Sequence, residues 1–272
     1  MIILSLLPSG LRAEELEMIN RPVNMSGLSG LLITTSPYTL PPKTLEIGVM
    51  TLWENSLVPD YTATAIPVTI SLGTAHNGEI ALKGSYVKIQ KDVGTDVRGT
   101  GDVELAYKWN FRPQREYSNV PGIALFAAGI VPTGDKQDGT TSIDHWGARV
   151  GVSFGSELTW EDYILGLFAD AQIAVQDLSD KDQRDRYTMA NAGLVFPISK
   201  YRNLQMILEY NLVAGKNATE MSIDGVNHSA VIYGLRLVNE RFNLTLGTQF
   251  IHKTVDGYND SSRLVGIMSV KL

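Results

Sequence analysis

From Thr44 onward the sequence alternates. In Gly101 to Phe111, GDVELAYKWNF, the residues Val103, Leu105, Tyr107, Trp109 and Phe111 take every second position, with Asp102, Glu104, Lys108 and Asn110 between them. Successive side chains of an extended chain point to opposite faces, so this spacing predicts a strand with one apolar and one polar side. The habit recurs in TLEIGVMTL, TATAIPVTISLG, EIALKGSYVKI, HWGARVGVSF, YILGLFADAQI, NLQMILEYNLV, AVIYGLRLV and RFNLTLGTQF, and a last run, SRLVGIMSVKL, reaches the final residue. GIALFAAGIV is apolar or small on both faces, and YTMANAGLVF alternates least cleanly. Twelve strands are predicted in all. An apolar stripe at helical spacing occurs only in a short piece around Leu11 to Ile19.

The joins come in two kinds. After a first pair joined by WENSLVPD, the short or modest TAHNG, RPQREYSN, GSELTWED, PISKYR and NE alternate with the long polar QKDVGTDVRGTG, PTGDKQDGTTSID, VQDLSDKDQRDR, AGKNATEMSIDGVNHS and HKTVDGYNDSS. Tight turns at one end of a meander and long loops at the other are the layout of membrane-spanning barrels. Closure also removes the bare edges that an open sheet of this size would leave. The predicted fold is therefore all-β, a transmembrane antiparallel up-and-down barrel of twelve strands. Its polar face assigns Glu46, Lys83, Asp102, Glu104, Lys108, Arg149, Asp170, Gln205, Glu209, Arg236 and Gln249 to the lumen. Its apolar face assigns Leu105, Tyr107, Trp109, Trp146, Leu165, Leu167, Leu208, Tyr233, Leu244 and Leu246 to lipid, with Tyr and Trp near strand ends as interfacial anchors. A soluble β-protein is the competing account. It explains each charged residue as solvated, but gives no reason for long loops to gather at one end.

Composition narrows the choice further. The 272 residues are 44% hydrophobic and 19% charged, enough for one large domain. A net charge of -6 gives no reason to expect nucleic acid, and the absence of cysteine removes disulfides, thiol catalysis and cysteine-ligated metals together. The longest apolar stretch, NVPGIALFAAGIVPTG, is too short and too broken for a helical span. MIILSLLPSGLRAEE has the hydrophobic and small-residue parts of an export signal without its basic start, so residues 1–13 are read as a signal remnant, the alternative being a short packed helix. Residues 14–43 form a lead-in whose GLSGLLIT is too apolar for a free linker; it is expected inside the lumen or against the periplasmic rim, or else as a simple strand lead-in. Pro41 and Pro42 stop any ladder just before the barrel of residues 44–272.

Catalytic patterns are missing. No HExxH, phosphate loop or GxSxG occurs, and GTGD at Gly99 to Asp102 turns into a strand rather than a helix. His76, His145, His228 and His252 sit beside different connections, and Asp177, Asp180 and Asp182, or Asp256 and Asp260, fit solvated loops better than a calcium site. Ser142 and His145 are close in sequence but match no hydrolase motif. No enzyme activity, cofactor or metal is expected.

Three stretches carry a family resemblance: GLSGLLITTSPYTLPPKTLEIGV, GDVELAYKWNF and GIALFAAGIVPTGDK. They resemble the lead-in, an early strand and the Pro-Thr-Gly-Asp turn of the bacterial outer-membrane transporter barrels grouped under a phenol-degradation pathway label. The resemblance implies a Gram-negative outer-membrane barrel that moves small solutes, hydrophobic ones included. The partners expected are outer-membrane lipid and a small-molecule solute, with the rim or loops open to a protein partner. The expected function is passive passage; the alternative is a structural or docking barrel with a closed lumen.

Overall fold

The computed structural model describes residues 22–57, 60–91, 96–114, 120–134, 143–160, 163–178, 184–198, 203–215, 227–253 and 260–272. The export-signal reading lies outside them. The strands are β1 (Leu45–Leu57), β2 (Asp60–Thr74), β3 (Gly78–Lys91), β4 (Val97–Thr100), β5 (Val103–Arg112), β6 (Gly122–Val131), β7 (Ile143–Trp160), β8 (Tyr163–Leu178), β9 (Arg184–Pro197), β10 (Leu204–Gly215), β11 (His228–Val238), β12 (Phe242–Lys253) and β13 (Ser261–Lys271). Apart from β4 and β5, which do not pair with each other, neighbours in sequence pair antiparallel, and β1 pairs with β13 from Glu46↔Lys271 to Ser56↔Ser261, which closes the sheet on itself. β4 and β5 are two halves of one strand, interrupted at Gly101 and Asp102, and both lie along β3. The fold is thus a closed barrel of twelve antiparallel strands.

Burial follows the alternation. Along β5, Glu104, Ala106, Lys108 and Asn110 are buried while Leu105, Tyr107, Trp109 and Phe111 are exposed. The exposed set continues around the wall through Ile47, Val68, Leu82, Leu125, Val150, Tyr233, Leu246 and Met268. An outer surface of this composition is stable against hydrocarbon, not water. The less regular segments fall into line by register: β6 turns Ala124, Phe126 and Ala128 inward, and β9 turns Asn191, Gly193 and Val195 inward.

Two expectations change. Much of WENSLVPD, GSELTWED and VQDLSDKDQRDR is strand, leaving only residues 58–59, 161–162 and 179–183 between ladders. The β1–β13 extension carries the inward ion pair of Glu54 and Arg263, and the β7–β8 and β8–β9 extensions continue the backbone ladder itself. The inner face is also less polar than its charges suggested. Met50, Ile164, Phe168, Val195, Ile207, Ile232, Val265 and Ile267 all turn inward and are buried. They have an occupant to pack on.

Candidate functional site: the barrel lumen

Residues 22–40 fold into the half of the barrel that carries the short turns and both ends of the ladder. Two isolated bridges, Val23↔Ser29 and Gly30↔Thr35, are the segment's own β-structure. Turn-forming Gly, Ser, Thr and Asn residues keep it irregular, with Gly27 at φ 83° and the Asn24 side chain bonded to Ser26, Ile33 and Thr35. Buried irregular backbone needs partners for its N–H and C=O groups. Here the barrel wall supplies them.

Glu209 on β10 accepts hydrogen bonds from three consecutive amides, Leu32 at 2.6 Å, Ile33 at 2.8 Å and Thr34 at 3.2 Å. Asp170 on β8 accepts from the Thr35 amide at 2.7 Å, and Glu46 on β1 from the Val23 amide at 3.3 Å. Glu79 on β3 accepts from the amide and hydroxyl of Ser29 and from the Leu40 amide. The carbonyls meet cations: Lys108 donates to Ser29 O while paired to Glu79 at 3.2 Å, and Arg236 donates to Gly30 O at 3.2 Å. Ser71 donates to Gly27 O.

Apolar side chains fix the register. Leu31, Leu32, Val23 and Tyr38 join the inward cluster of Met50, Phe168, Ile207 and Ile232, while Leu28 meets Ala81, Ala106 and Phe126. Inward glycines make the seats. A Cβ on Gly234 or Gly247 would stand 2.8 Å or 2.7 Å from Leu32 Cδ1, and one on Gly193 would overlap Leu31 Cδ1. Residues 22–40 thus pack against inward-facing side chains of the barrel wall.

The long-loop half holds two compact ion clusters. Glu104 lies between Lys83 at 2.8 Å and Arg149, whose guanidinium also reaches Gln172. From there Asp170, Asn191 and Asn211 continue the chain of side-chain bonds across β8, β9 and β10. Opposite, Glu54 takes Arg263 at 2.9 Å, Lys253 at 3.5 Å and the hydroxyls of Tyr61 and Ser261.

Of the residues assigned to the polar face, Glu46, Glu104, Lys108, Arg149, Asp170, Gln205, Glu209, Arg236 and Gln249 are buried. Lys83 is partly exposed, and Asp102, at the β4–β5 break, is partly exposed and accepts from the Gly134 amide. Of those assigned outward, Leu105, Tyr107, Trp109, Trp146, Tyr233 and Leu246 are exposed, whereas Leu165, Leu167, Leu208 and Leu244 are half-buried. Alternation alone missed Glu54, Glu79 and Arg263. Glu79 was legible from parity with Ile80; Glu54 was hidden inside a supposed connection. His252 pairs with Asp260 at the exposed end of β12, and no group of potential metal ligands occurs among the described residues. Ser142, Asp180, Asp182 and Asp256, and the side chains of His145 and Asp177, lie outside the description.

No family model and no curated protein matches the chain. Solved structures do. An outer-membrane channel from Pseudomonas putida F1 superposes with TM-score 0.65 at 13% identity, covering 86% of this chain and 97% of that one. The NanC porin matches at 0.56 and 11%, covering 83% and 100%, and the KdgM porin at 0.53 and 8%, covering 82% and 98%. The chain has the fold of outer-membrane channel and porin barrels.

Proposed function

We propose that the protein is an outer-membrane channel for passive passage of small solutes, with both ends of the barrel ladder periplasmic and residues 22–40 acting as its internal plug. The carrying observation is the way that segment is held. It joins no wall strand as a ladder; it is bound by side chains and by leucines seated on glycines, contacts that can break without opening the barrel. The polar-face residues line the path, and the outward rows face lipid. Channel-type neighbours support this role at the level of fold. The three resembling stretches support placement with the phenol-degradation barrels, and with them passage of small hydrophobic compounds.

A cross-link tests the plug. The Cβ built on Gly27 lies 3.4 Å from Ala81 Cβ, near the roughly 3.5–4.5 Å of disulfides, so Gly27→Cys with Ala81→Cys joins segment to wall in a chain without other cysteines. Because any side chain at φ 83° is strained, the comparison is the double variant oxidised against the same variant reduced: in planar bilayers the oxidised form should conduct less, and reductant should restore the current. Equal currents under complete cross-linking would remove the plug from the mechanism. A parent chain that never conducts would favour the closed docking barrel, which the packed apolar interior also suits.

A further inference from the structure

We propose that the cradle filled by residues 22–40 is a solute subsite for cationic, N–H-rich molecules of the ammonium, guanidinium or amide class, the plug holding the place of such a solute. The inference rests on the channel reading above. It starts from what the segment offers the wall: mainly N–H groups, delivered to four carboxylates, Glu46, Glu79, Asp170 and Glu209. Lys108 and Arg236 answer with positive charge, Lys271 stands across from Glu46 on β13, and Lys108 is already tied to Glu79. With the segment withdrawn, acids outnumber bases in this half. Glu209 then loses every hydrogen bond it has among the described residues.

An independent observation points the same way. With the plug in place, Glu46 Oε2, Asn110 Oδ1 and Asn243 Oδ1 are buried with no hydrogen-bond partner among the described residues. All three are acceptors, and all lie toward the short-turn end. Buried acceptors are satisfied by donors, and a carboxylate does so best with a charged one. A neutral or anionic aromatic would fill the apolar seats beside Gly193 and Gly234 but leave these oxygens bare. An alkylammonium or guanidinium solute meets both demands, its methylenes on the glycines and its N–H groups shared between Glu209 or Glu79 and the bare Glu46 oxygen.

The probe is argininamide, with benzoate as the anionic aromatic control. In the full chain carrying Leu31→Ser and Leu32→Ser, folding is first checked by heat-modifiable migration, and Leu31→Ala with Leu32→Ala replaces it if that variant fails to fold. The opened variant should carry more KCl current than the parent. Argininamide added to the short-turn side should block that current while equal benzoate does not, and adding Glu209→Gln should weaken the block severalfold. An opened channel that argininamide leaves unblocked, that benzoate blocks equally, or whose block ignores Glu209→Gln would overturn the subsite. A well-folded variant with no extra current would instead overturn the displaceable plug, and the subsite with it.

Discussion

Glu209 shows how one inward residue sets the conformation of a distant segment. Its carboxylate gathers the amides of Leu32, Ile33 and Thr34, a cluster that an unpaired loop could not bury by itself. Hydrogen bonds to a charged group contribute about 1.5–3 kcal/mol each. Glu209→Gln keeps size and shape but removes the charge and part of the acceptor capacity, so it should loosen the segment rather than the wall. Hydrogen exchange is the direct measurement: amides 32–34 should exchange faster, while β10 and β11 keep their protection. Unchanged exchange at those amides would show that the leucine packing alone holds the plug. Gly193→Val probes that packing from the other side, because its side chain enters the space of Leu31 Cδ1. It should raise current frequency in bilayers with little change in the heat needed to unfold the barrel.

At the scale of elements, strands were legible and their ends were not. The period of two placed all twelve, since a wall with lipid on one side and a filled interior on the other imposes strict alternation. Connections such as GSELTWED read as loops because they are polar, yet β7 continues to Trp160 since hairpin pairing with β8 extends beyond any apolar requirement. The packing of residues 22–40 was half legible. GLSGLLIT betrayed itself as too apolar for a linker, but its path depends on carboxylates scattered over β1, β3, β8 and β10, which no local pattern links. The β2–β3 turn gives a test at this scale. His76 and Asn77 both adopt left-handed backbone, at φ 61° and 57°, a conformation that costs a non-glycine residue roughly 1–2 kcal/mol. Asn77→Gly should raise the temperature at which the folded band is lost on gels, with no change in conductance.

For the molecule as a whole, the deciding property is which solvent each face meets. Inside, Glu46, Glu54, Glu79, Glu104, Asp170 and Glu209 are interleaved with Lys83, Lys108, Arg149, Arg236, Lys253 and Arg263, a balance of signs that should make the proposed channel weakly selective. Reversal potentials in a KCl gradient measure this, and a strongly one-signed value would contradict it. Outside, Val150 is 57% exposed near the middle of β7, between Ala127 and Ile173 on the neighbouring strands. In a water-soluble β-protein, replacing so exposed an aliphatic residue by arginine would shift stability by no more than about 0.5 kcal/mol. Against hydrocarbon the same charge costs about 2–4 kcal/mol at the bilayer midplane, falling toward the interfaces. Val150→Arg should therefore refold poorly into lipid vesicles, and Trp146→Arg, nearer the strand end on the same face, should lose much less. The gradient between the two positions carries the test, because a soluble surface has no depth along which such a penalty could vary.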